Sequence, residues 1–480
     1  MEVMYVAAIP YDVCNTIVSE LEDLRTCVCT KPASGAEVRV NGDLGQLDAH
    51  PLSDRSDNYN LRSLFVSREG GWMIYPRFSD PIDVLAPSSV EELREVIGDI
   101  YGKGVGIVPI GGGTSMGLGM PPSGEYVVLR MGGVRGVLDL DPGNLTISAL
   151  AGTTISELRR AIGERQFLAL DPPDPERATV GGVISAGVSG PIRHMFGDVR
   201  HQVLEIEVIG AYGRVIRGGR KVIKNVAGYD LTKLYVGSLG TLGVISSITL
   251  RLRPKQERSA VAVIPLSSME ECEGVISSIL DSDLSPSFLE LWTKGLDPIR
   301  LPVEDGFRLS LGFEGLEEEE VSWQLDELSR ISKKAMVFRG EEEDRLRYGI
   351  AQMHGSDGFH ARCRISVLSS ELPWAVDEAL GYAERLGIPC EISAHAGIGV
   401  IRAHLMDPQG LGREVDFIRE MAIRMRRRGK PFSIENAPLR AYEEVDPWGN
   451  PGPSIGIMRR IKRGLDPEGL FNRGRFVGGL

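Results

Sequence analysis

Cysteine is scarce in this chain: there are six in 480 residues, and no two are spaced C-x-x-C. That excludes a disulfide framework and any zinc or iron–sulfur signature built on such pairs, and Cys27 and Cys29 make only C-x-C. Basic charge is short as well. Lys and Arg number 54 against 66 Asp and Glu, a net charge of -12 with a pI near 5.3, which argues against a nucleic-acid surface. The basic run from Arg424 to Arg428 closes a predicted helix and suits its dipole. Long apolar runs are missing: none reaches the roughly 18 residues of a membrane span. Met1 to Pro10 lacks the basic start and apolar core of a signal peptide, so the expected location is cytoplasmic. What is present is a hydrophobic fraction of 42%, enough to close a core, over a length that suits roughly three domains.

Glycine, by contrast, is abundant and clustered. Between Asp171 and Pro254 it recurs at Gly181-Gly182, Gly187, Gly190, Gly197, Gly218-Gly219, Gly228, Gly237, Gly240 and Gly243. Glycine costs conformational entropy, and that density is expected where backbone takes positive φ or closely approaches a large ligand. A second concentration, Ile110 to Gly119 (IGGGTSMGLG), follows a predicted buried strand, Val105 to Pro109. Strand then glycine loop is how backbone N–H groups are aimed at a phosphate. The spacing G-x-G-x-x-x-G misses the dinucleotide fingerprint, and Pro121-Pro122-Ser123-Gly124 forbids the helix which that fingerprint requires. No Gly-Lys-Ser/Thr follows, so a Walker loop is excluded too. A phosphate cradle made of loop alone remains, beside the plainer reading of a glycine turn.

In chain order, Met1 to about Ala86 shows little pattern beyond a short helix expected over Val18 to Leu24. Ser88-Ser89 caps a predicted helix over Val90 to Tyr101, with Glu91 and Glu92 in its first turn. Strands are expected at Tyr126 to Met131, Val137 to Asp141, Leu145 to Ala149, Leu204 to Gly210, Val215 to Arg217 and Val244 to Leu252, and a helix at Thr154 to Arg165. Turns are expected at ATVGG (Ala178 to Gly182), at Ala211 to Arg214 and at Gly218-Gly219. After Pro254, predicted strands at Val261 to Ile264, Ser287 to Trp292, Arg308 to Phe313, Cys363 to Val367, Glu391 to Ala394, Gly399 to Leu405 and Pro431 to Ile434 alternate with five amphipathic helices. That alternation predicts an antiparallel sheet with helices on one side.

The pieces P-x-GGGTS, DPPDPERATVGG, SGPIRHMFGDVR, VIKNVAGYDLTKLYVGSLGTLGVI and DPEGLFNRGRF resemble the flavin domain of the vanillyl-alcohol-oxidase-like (PCMH-type) FAD-linked oxidases, and more narrowly the FAD-binding subunit of glycolate oxidase. The resemblance implies an α+β fold: a two-part PCMH-type FAD-binding domain (residues 86–255), an antiparallel-sheet-plus-helices cap (256–434), a C-terminal segment returning to the FAD domain (435–480) and an N-terminal extension (1–85). It places the FAD pyrophosphate on Ile110, Gly111, Gly112, Gly113, Thr114 and Ser115, with Gly117 and Leu118 beside them. Pro172, Thr179, Gly181, Gly182, Ser185, Ala186 and Gly187 line the pyrophosphate and ring, Gly240, Gly243 and Ile245 hold the adenine end, and Asn472 lies in the segment that covers the ring. Covalent relatives carry a histidine in the first loop; this loop has none, so non-covalent FAD is expected.

For a flavin to oxidise a 2-hydroxy acid, the protein must supply a base for the hydroxyl proton and a cation for the carboxylate. His395-Ala-Gly-Ile-Gly-Val-Ile-Arg402 resembles a segment whose two histidines bind a divalent metal in catalytic relatives, but arginine stands at the second position, and charged arginine cannot ligate a metal. No metal is therefore expected. His395 as base and Arg402 as carboxylate anchor are the candidates, with a structural role as the alternative, and Arg193 and His194 sit on a loop expected to approach the ring. Lys224, Asn225, Tyr229 and Asp230 read as a hydrogen-bonded turn, His201 stands where relatives have Asp, and Glu435 lacks the E-H-G-x-G surroundings of a metal ligand. The resemblance implies oxidation of glycolate or lactate, with electrons passed to a second flavin subunit and an iron–sulfur subunit. Two other readings stay open: a self-sufficient D-lactate-type dehydrogenase, and a non-catalytic subunit with structural flavin. A cytoplasmic protein, free or held at a membrane by its partner, fits all three.

Overall fold

The computed structural model describes residue 79 and residues 81–219, 230–298, 306–355 and 358–480. Nearly all of the 1–85 extension, with Cys27, Cys29 and the helix expected over Val18 to Leu24, lies outside the described residues, as do Lys224, Asn225 and Tyr229. Helices are named by their residues, and strands are numbered in chain order.

Three strands, β1 (Asp83–Leu85), β2 (Gly106–Ile110) and β3 (Tyr126–Arg130), pair in parallel in the order β1-β3-β2. The helix Val90–Gly102 connects the first two, capped by the Ser89 hydroxyl, which accepts from the Glu92 N–H. A six-stranded sheet follows: β4 (Val137–Asp141), β5 (Thr146–Leu150), β6 (Gln166–Leu168), β7 (Val203–Ile209), β8 (Val215–Gly219) and the long β9 (Val244–Pro254), antiparallel in the order β4-β5-β9-β7-β8 with β6 paired to β9. Leu93, Ile97, Ile147, Ile206, Ile248 and Phe471 fill one continuous core beneath both sheets. Phe471 belongs to the C-terminal segment, whose backbone joins the open side of β2: the Ile107 N–H donates to the Leu470 carbonyl at 2.8 Å, and the Asn472 N–H to the Ile107 carbonyl at 2.8 Å.

The remaining strands form one antiparallel sheet of eight in the order β13-β10-β12-β11-β15-β16-β14-β17. They are β10 (Arg258–Leu266), β11 (Phe288–Thr293), β12 (Phe307–Gly315), β13 (Met336–Phe338), β14 (Ala361–Ser366), β15 (Cys390–His395), β16 (Val400–Leu405) and β17 (Phe432–Asn436). One face presents Leu289, Leu291, Ile392, Ala394, Ile401, Ala403, Cys363, Ile365 and Ile434 to the helices Met269–Leu280, Leu372–Leu386 and Arg413–Arg427. The fold is thus α+β, pairing a two-part unit that holds the glycine-rich loops with a sheet covered by helices on one face.

Three expectations are corrected. ATVGG is the start of a helix: Thr179 caps Val180–Ala186, with its hydroxyl accepting from the Gly182 N–H at 3.3 Å. Arg193 and His194 begin a one-turn helix, Arg193–Phe196, because Pro191 and the positive φ of Gly197 bracket a tight turn. Gly218 and Gly219 end β8 instead of turning it; a Cβ on Gly219 would lie 2.0 Å from the Leu204 carbonyl oxygen of the neighbouring strand.

Candidate active site

The glycine loop after β2 packs backbone on backbone. A Cβ on Gly112 would stand 1.7 Å from the Arg177 carbonyl oxygen, and one on Gly111 2.0 Å from the Thr179 hydroxyl, so no side chain fits at either position. The N–H groups of Gly112, Gly113, Thr114 and Ser115 have no backbone partner among the described residues. Gly113 has positive φ and nothing within 4 Å of its Cβ position. From the other side Arg475 holds this loop, its Nη2 donating to the carbonyls of Met116 (2.9 Å) and Leu118 (2.8 Å), while Gly117 rests on the Glu435 backbone. Gly240 brings Pro109, Asn472 and Ser185 together: its Cβ position is 3.0 Å from Pro109, 3.2 Å from Asn472 Nδ2 and 3.7 Å from Ser185 Oγ. Asn472 Nδ2 donates to the Leu239 carbonyl, and its Oδ1 is a buried acceptor with no hydrogen bond. Free loop N–H groups, a side-chain-free cradle and an orphaned buried acceptor fit a bound nucleotide and its polar ring.

Gly181 and Gly182 sit in the first turn of Val180–Ala186, Gly181 against Ala151, and Ala186 ends that helix before Gly187, which is left-handed. Gly243 and Ile245 lie at the start of β9 against Val208 on β7. The end of β2 that feeds the first loop, Ser185 and Asn472 therefore meet in one place, whereas Gly243 and Ile245 pack into the six-stranded sheet.

The second face of the eight-stranded sheet is the unusual one. Strand alternation that turns Leu289 and Leu291 to the helices turns Glu290 and Trp292 the other way. The same alternation places Ser393 and His395, Arg402 and His404, Arg362 and Arg364, and Glu435 on that face. These groups are nonetheless buried, apart from the half-buried Arg364: Glu290 and His395 are each 1% exposed, and Arg402 and Glu435 each 6%. Each buried ion costs several kcal/mol unless it is paired, so a whole charged face withdrawn from water marks a functional site more readily than a stabilising one.

Its centre is a closed ring of hydrogen bonds. Arg402 Nη1 lies 3.1 Å from His395 Nε2 and 3.2 Å from His354 Nδ1. His395 Nδ1 is 2.7 Å from Glu290 Oε1, and His354 Nε2 is 3.0 Å from Glu290 Oε2. Guanidinium only donates, so both nitrogens facing it are lone pairs; each imidazole then carries its proton on the far side and donates it to Glu290. Burial, aided by Arg402 and by each other's neighbourhood of cations, pushes His395 and His354 well below the usual histidine range and keeps both neutral. Burial, with the charge of Asp171, pushes Glu290 well above the carboxylate range while Arg402 and Arg193 pull it down. The two N–H donors decide its resting form as the acceptor at both oxygens. Behind the ring, Arg402 Nε donates to Glu435 Oε2 at 3.0 Å and Arg362 Nε stands 2.8 Å from the same oxygen. Burial alone would raise Glu435, but Arg402, Arg362 and Arg364 overcome it and hold it at about 2.

Of the residues singled out in the sequence, His395 and Arg402 meet directly, from the end of β15 and the start of β16. His194 packs its ring on Gly397, where a Cβ would come within 2.3 Å of Cε1, and its Nδ1 is buried without a partner. Arg193 adds its charge to the surroundings of Glu290, His354 and His395. Glu435 is an arginine partner, and His201 is an exposed partner of Asp198, 2.9 Å away. Pro172 lines a cleft of about 480 Å³ that also reaches Asp171, Ile192, Phe288, Arg347 and Tyr348. Asp171 at its wall accepts from the Ile192 N–H at 3.1 Å, and burial pushes its carboxyl up to about 7.

Sequence reasoning missed Glu290, His354, His404, Arg362 and Arg364. The signal for Glu290 was available: a lone acid amid the apolar FLELW strand, on the face that alternation separates from the helices. His354, in the turn after the helix Glu341–Gln352, had none. Glu290, His354 and His395 also lie close enough to share a cation, their ligand atoms within 4.8 Å of one another, but the facing atoms are already bonded and a guanidinium adjoins two of the three.

Comparison with known proteins matches the FAD binding domain family over residues 81–219. The chain is 30% identical over 427 residues to a D-lactate dehydrogenase of Archaeoglobus fulgidus, covering 84% of this chain and 93% of that one. It is 34% identical over 198 residues to the glycolate oxidase subunit GlcE of Escherichia coli, covering 41% of this chain and 55% of that one. Among solved structures, 4-ethylphenol oxidase from Gulosibacter chungangensis superposes with a TM-score of 0.63 at 15% identity, over 82% of this chain and 88% of that one, a likeness of fold.

Proposed function

The chain belongs to the PCMH-type FAD-linked oxidases and is an FAD-dependent oxidoreductase, and on that footing we propose that it oxidises a small 2-hydroxy acid of the glycolate or D-lactate kind to the 2-oxo acid. The observation that carries the reading is the buried ring: one neutral imidazole with its lone pair beside one guanidinium, on the sheet face opposite the helices. His395 takes the hydroxyl proton at Nε2. Arg402, already using Nε and Nη1 for Glu435 and the two imidazoles, offers Nη2 to the carboxylate. The loop from Gly111 to Ser115, Ser185 and Asn472 would hold FAD, which would supply the acceptor for the α-hydrogen and its electron pair. Arg193 adds positive charge, and His194 seats on Gly397 at the same end. The cleft past Pro172 and Ile192 has a volume within the range of small-molecule sites, and Asp171 on its wall is near enough for its charge to act on Glu290. No histidine stands in the first loop, so FAD is held without a covalent bond.

Two observations divide the finer readings. The full constellation of base and cation inside one chain, and the near full-length likeness to a D-lactate dehydrogenase, favour a self-sufficient dehydrogenase. The likeness to a glycolate oxidase subunit, in a chain without cluster cysteines, favours a subunit that passes electrons to a second flavin subunit and an iron–sulfur subunit. The test is the visible spectrum of the purified protein, recorded anaerobically before and after glycolate, D-lactate and L-lactate. Bleaching of the flavin by one of them is expected. A flavin that no hydroxy acid reduces, with or without a co-purifying partner, overturns the reading and leaves a structural flavin protein.

A further inference from the structure

We propose that Glu290 is the positioning carboxylate of the reaction: it fixes the proton of His395 on Nδ1 and so keeps Nε2 as the lone pair that receives the substrate's hydroxyl proton, with His354 as its second donor. The proposal rests on the hydroxy-acid reading above. Glu290 and His395 are directly opposed residues of the paired strands β11 and β15, so their side chains stand together on one face without any loop to position them. With the proton on Nε2 instead, two donors would face each other across 3.1 Å while an imidazole lone pair faced a carboxylate oxygen at 2.7 Å. Both contacts would turn repulsive in a site that excludes water, so one tautomer remains. The same reasoning fixes His354 as the Nε2–H form, which uses the second carboxylate oxygen and the second Nη1 proton of Arg402.

The step balances. The O–H bond of the substrate breaks and its proton passes to His395 Nε2; the α C–H bond breaks, and bound FAD would accept that hydrogen with its electron pair; the C–O bond becomes C=O. The imidazolium formed is stabilised by Glu290 at Nδ1; its new Nε2–H can no longer accept from Arg402 Nη1, so proton uptake requires that contact to open as the guanidinium turns to the substrate carboxylate. Groups facing His395 are Glu290 from β11, Arg402 from β16, Arg364 from β14, His354 from the turn after Glu341–Gln352 and Arg193 from the helix Arg193–Phe196. Among these Glu290 alone is acidic, so it supplies the negative charge that favours proton uptake.

The test is Glu290→Gln in the full-length, FAD-loaded protein. An amide accepts through one atom and donates through the other, so it cannot take a proton from both imidazoles. One imidazole must then turn its proton toward Arg402. The rate constant for anaerobic flavin reduction is expected to fall by about 10²- to 10⁴-fold, the range for a disabled general base or its orienting carboxylate, while KM moves little. The acid limb of the kcat/KM profile shifts to lower pH, because losing the adjacent negative charge lowers the proton affinity of His395. Wild-type reduction rate with an unmoved profile overturns the proposal. Should this variant fail to hold FAD, the unaltered protein decides: ¹⁵N-histidine NMR, assigned with His395→Gln and His354→Gln, is expected to show His395 as the Nδ1–H and His354 as the Nε2–H form. The opposite tautomer at His395 overturns the positioning role. If the wild-type flavin is reduced by no 2-hydroxy acid, the functional reading fails, and the tautomers still report on the ring separately.

Discussion

Arg402 stands where the resembled metal-binding segment has its second histidine, and it holds its neighbours by hydrogen bonds. Its planar fork reaches three partners at once, Glu435 through Nε and both imidazoles through Nη1, and an ammonium has no geometry for that. Arg402→Lys is therefore expected to retain FAD yet lose about 10²- to 10³-fold in kcat/KM, the usual loss when one aligned donor is removed from a dry site; steady-state kinetics with a flavin-content control checks this. Glu435 holds the fork from behind. Its folded carboxyl stands at about 2, below its ordinary 4.5, so the stability it contributes is present above about pH 4.5 and is lost as the pH falls toward 2. Glu435→Gln leaves Arg402 and Arg362 without their buried counter-charge and is expected to cost about 3–5 kcal/mol at pH 7. Urea midpoints at pH 7 and at progressively lower pH should show the two proteins converging over that acid range.

Elements turn these residues into a site. Because successive side chains alternate across a strand, β11, β14, β15, β16 and β17 each feed one face with apolar residues for the helices and the other with charge. The register that opposes Glu290 to His395 and Ser393 to Arg402 sets the distances. On the FAD side the device is the reverse, a stretch from which side chains are excluded. Gly112→Ala would push a methyl into the Arg177 carbonyl, displacing the loop from the helix Val180–Ala186. Such protein is expected to purify with little flavin. Gly102→Ala, whose Cβ meets nothing within 4 Å, is the matching control and should keep its full flavin content. Equal flavin absorbance per protein in the two variants would show that the close approach is not what forms the cradle.

At the scale of the molecule, the charged face of the eight-stranded sheet is withdrawn from water alongside the glycine loops. Gly117 rests on the Glu435 backbone, the Tyr442 hydroxyl donates to the Gly117 carbonyl at 2.9 Å, and His194 lies on Gly397. No helix among the described residues is long and apolar enough to cross a membrane. Since a guanidinium completes the ring, turnover should survive prolonged chelation, and activity lost to a chelator and restored by a divalent cation would contradict that. Acid precipitation should release FAD into the supernatant, where a covalent bond would keep it in the pellet.

Local pattern carried much of this protein. The periodicity of the strands after Pro254, the caps at Ser89 and Thr154, and the glycine clusters are near-neighbour properties, so the helix-covered sheet and a glycine-lined loop were legible in the chain itself, whereas the FAD-binding unit and the pair His395 and Arg402 came from the family resemblance of its motifs. The glycine-rich ATVGG read as a turn because intrinsic preference disfavours glycine in helices; the Thr179 cap and packing against Ala151 outweighed it. Which charged residues are sealed from water is a different kind of fact. Glu290 lies 64 residues before its partner His354, and 105 before His395. Alternation says only that Glu290, His395 and Arg402 leave the apolar face, the same pattern a solvated face would give. Only the tertiary structure, by burying that face and bringing three strands and a helix end to hydrogen-bonding distance, decided that they close a ring, because desolvation and proton placement depend on everything packed around a group and not on its neighbours in sequence.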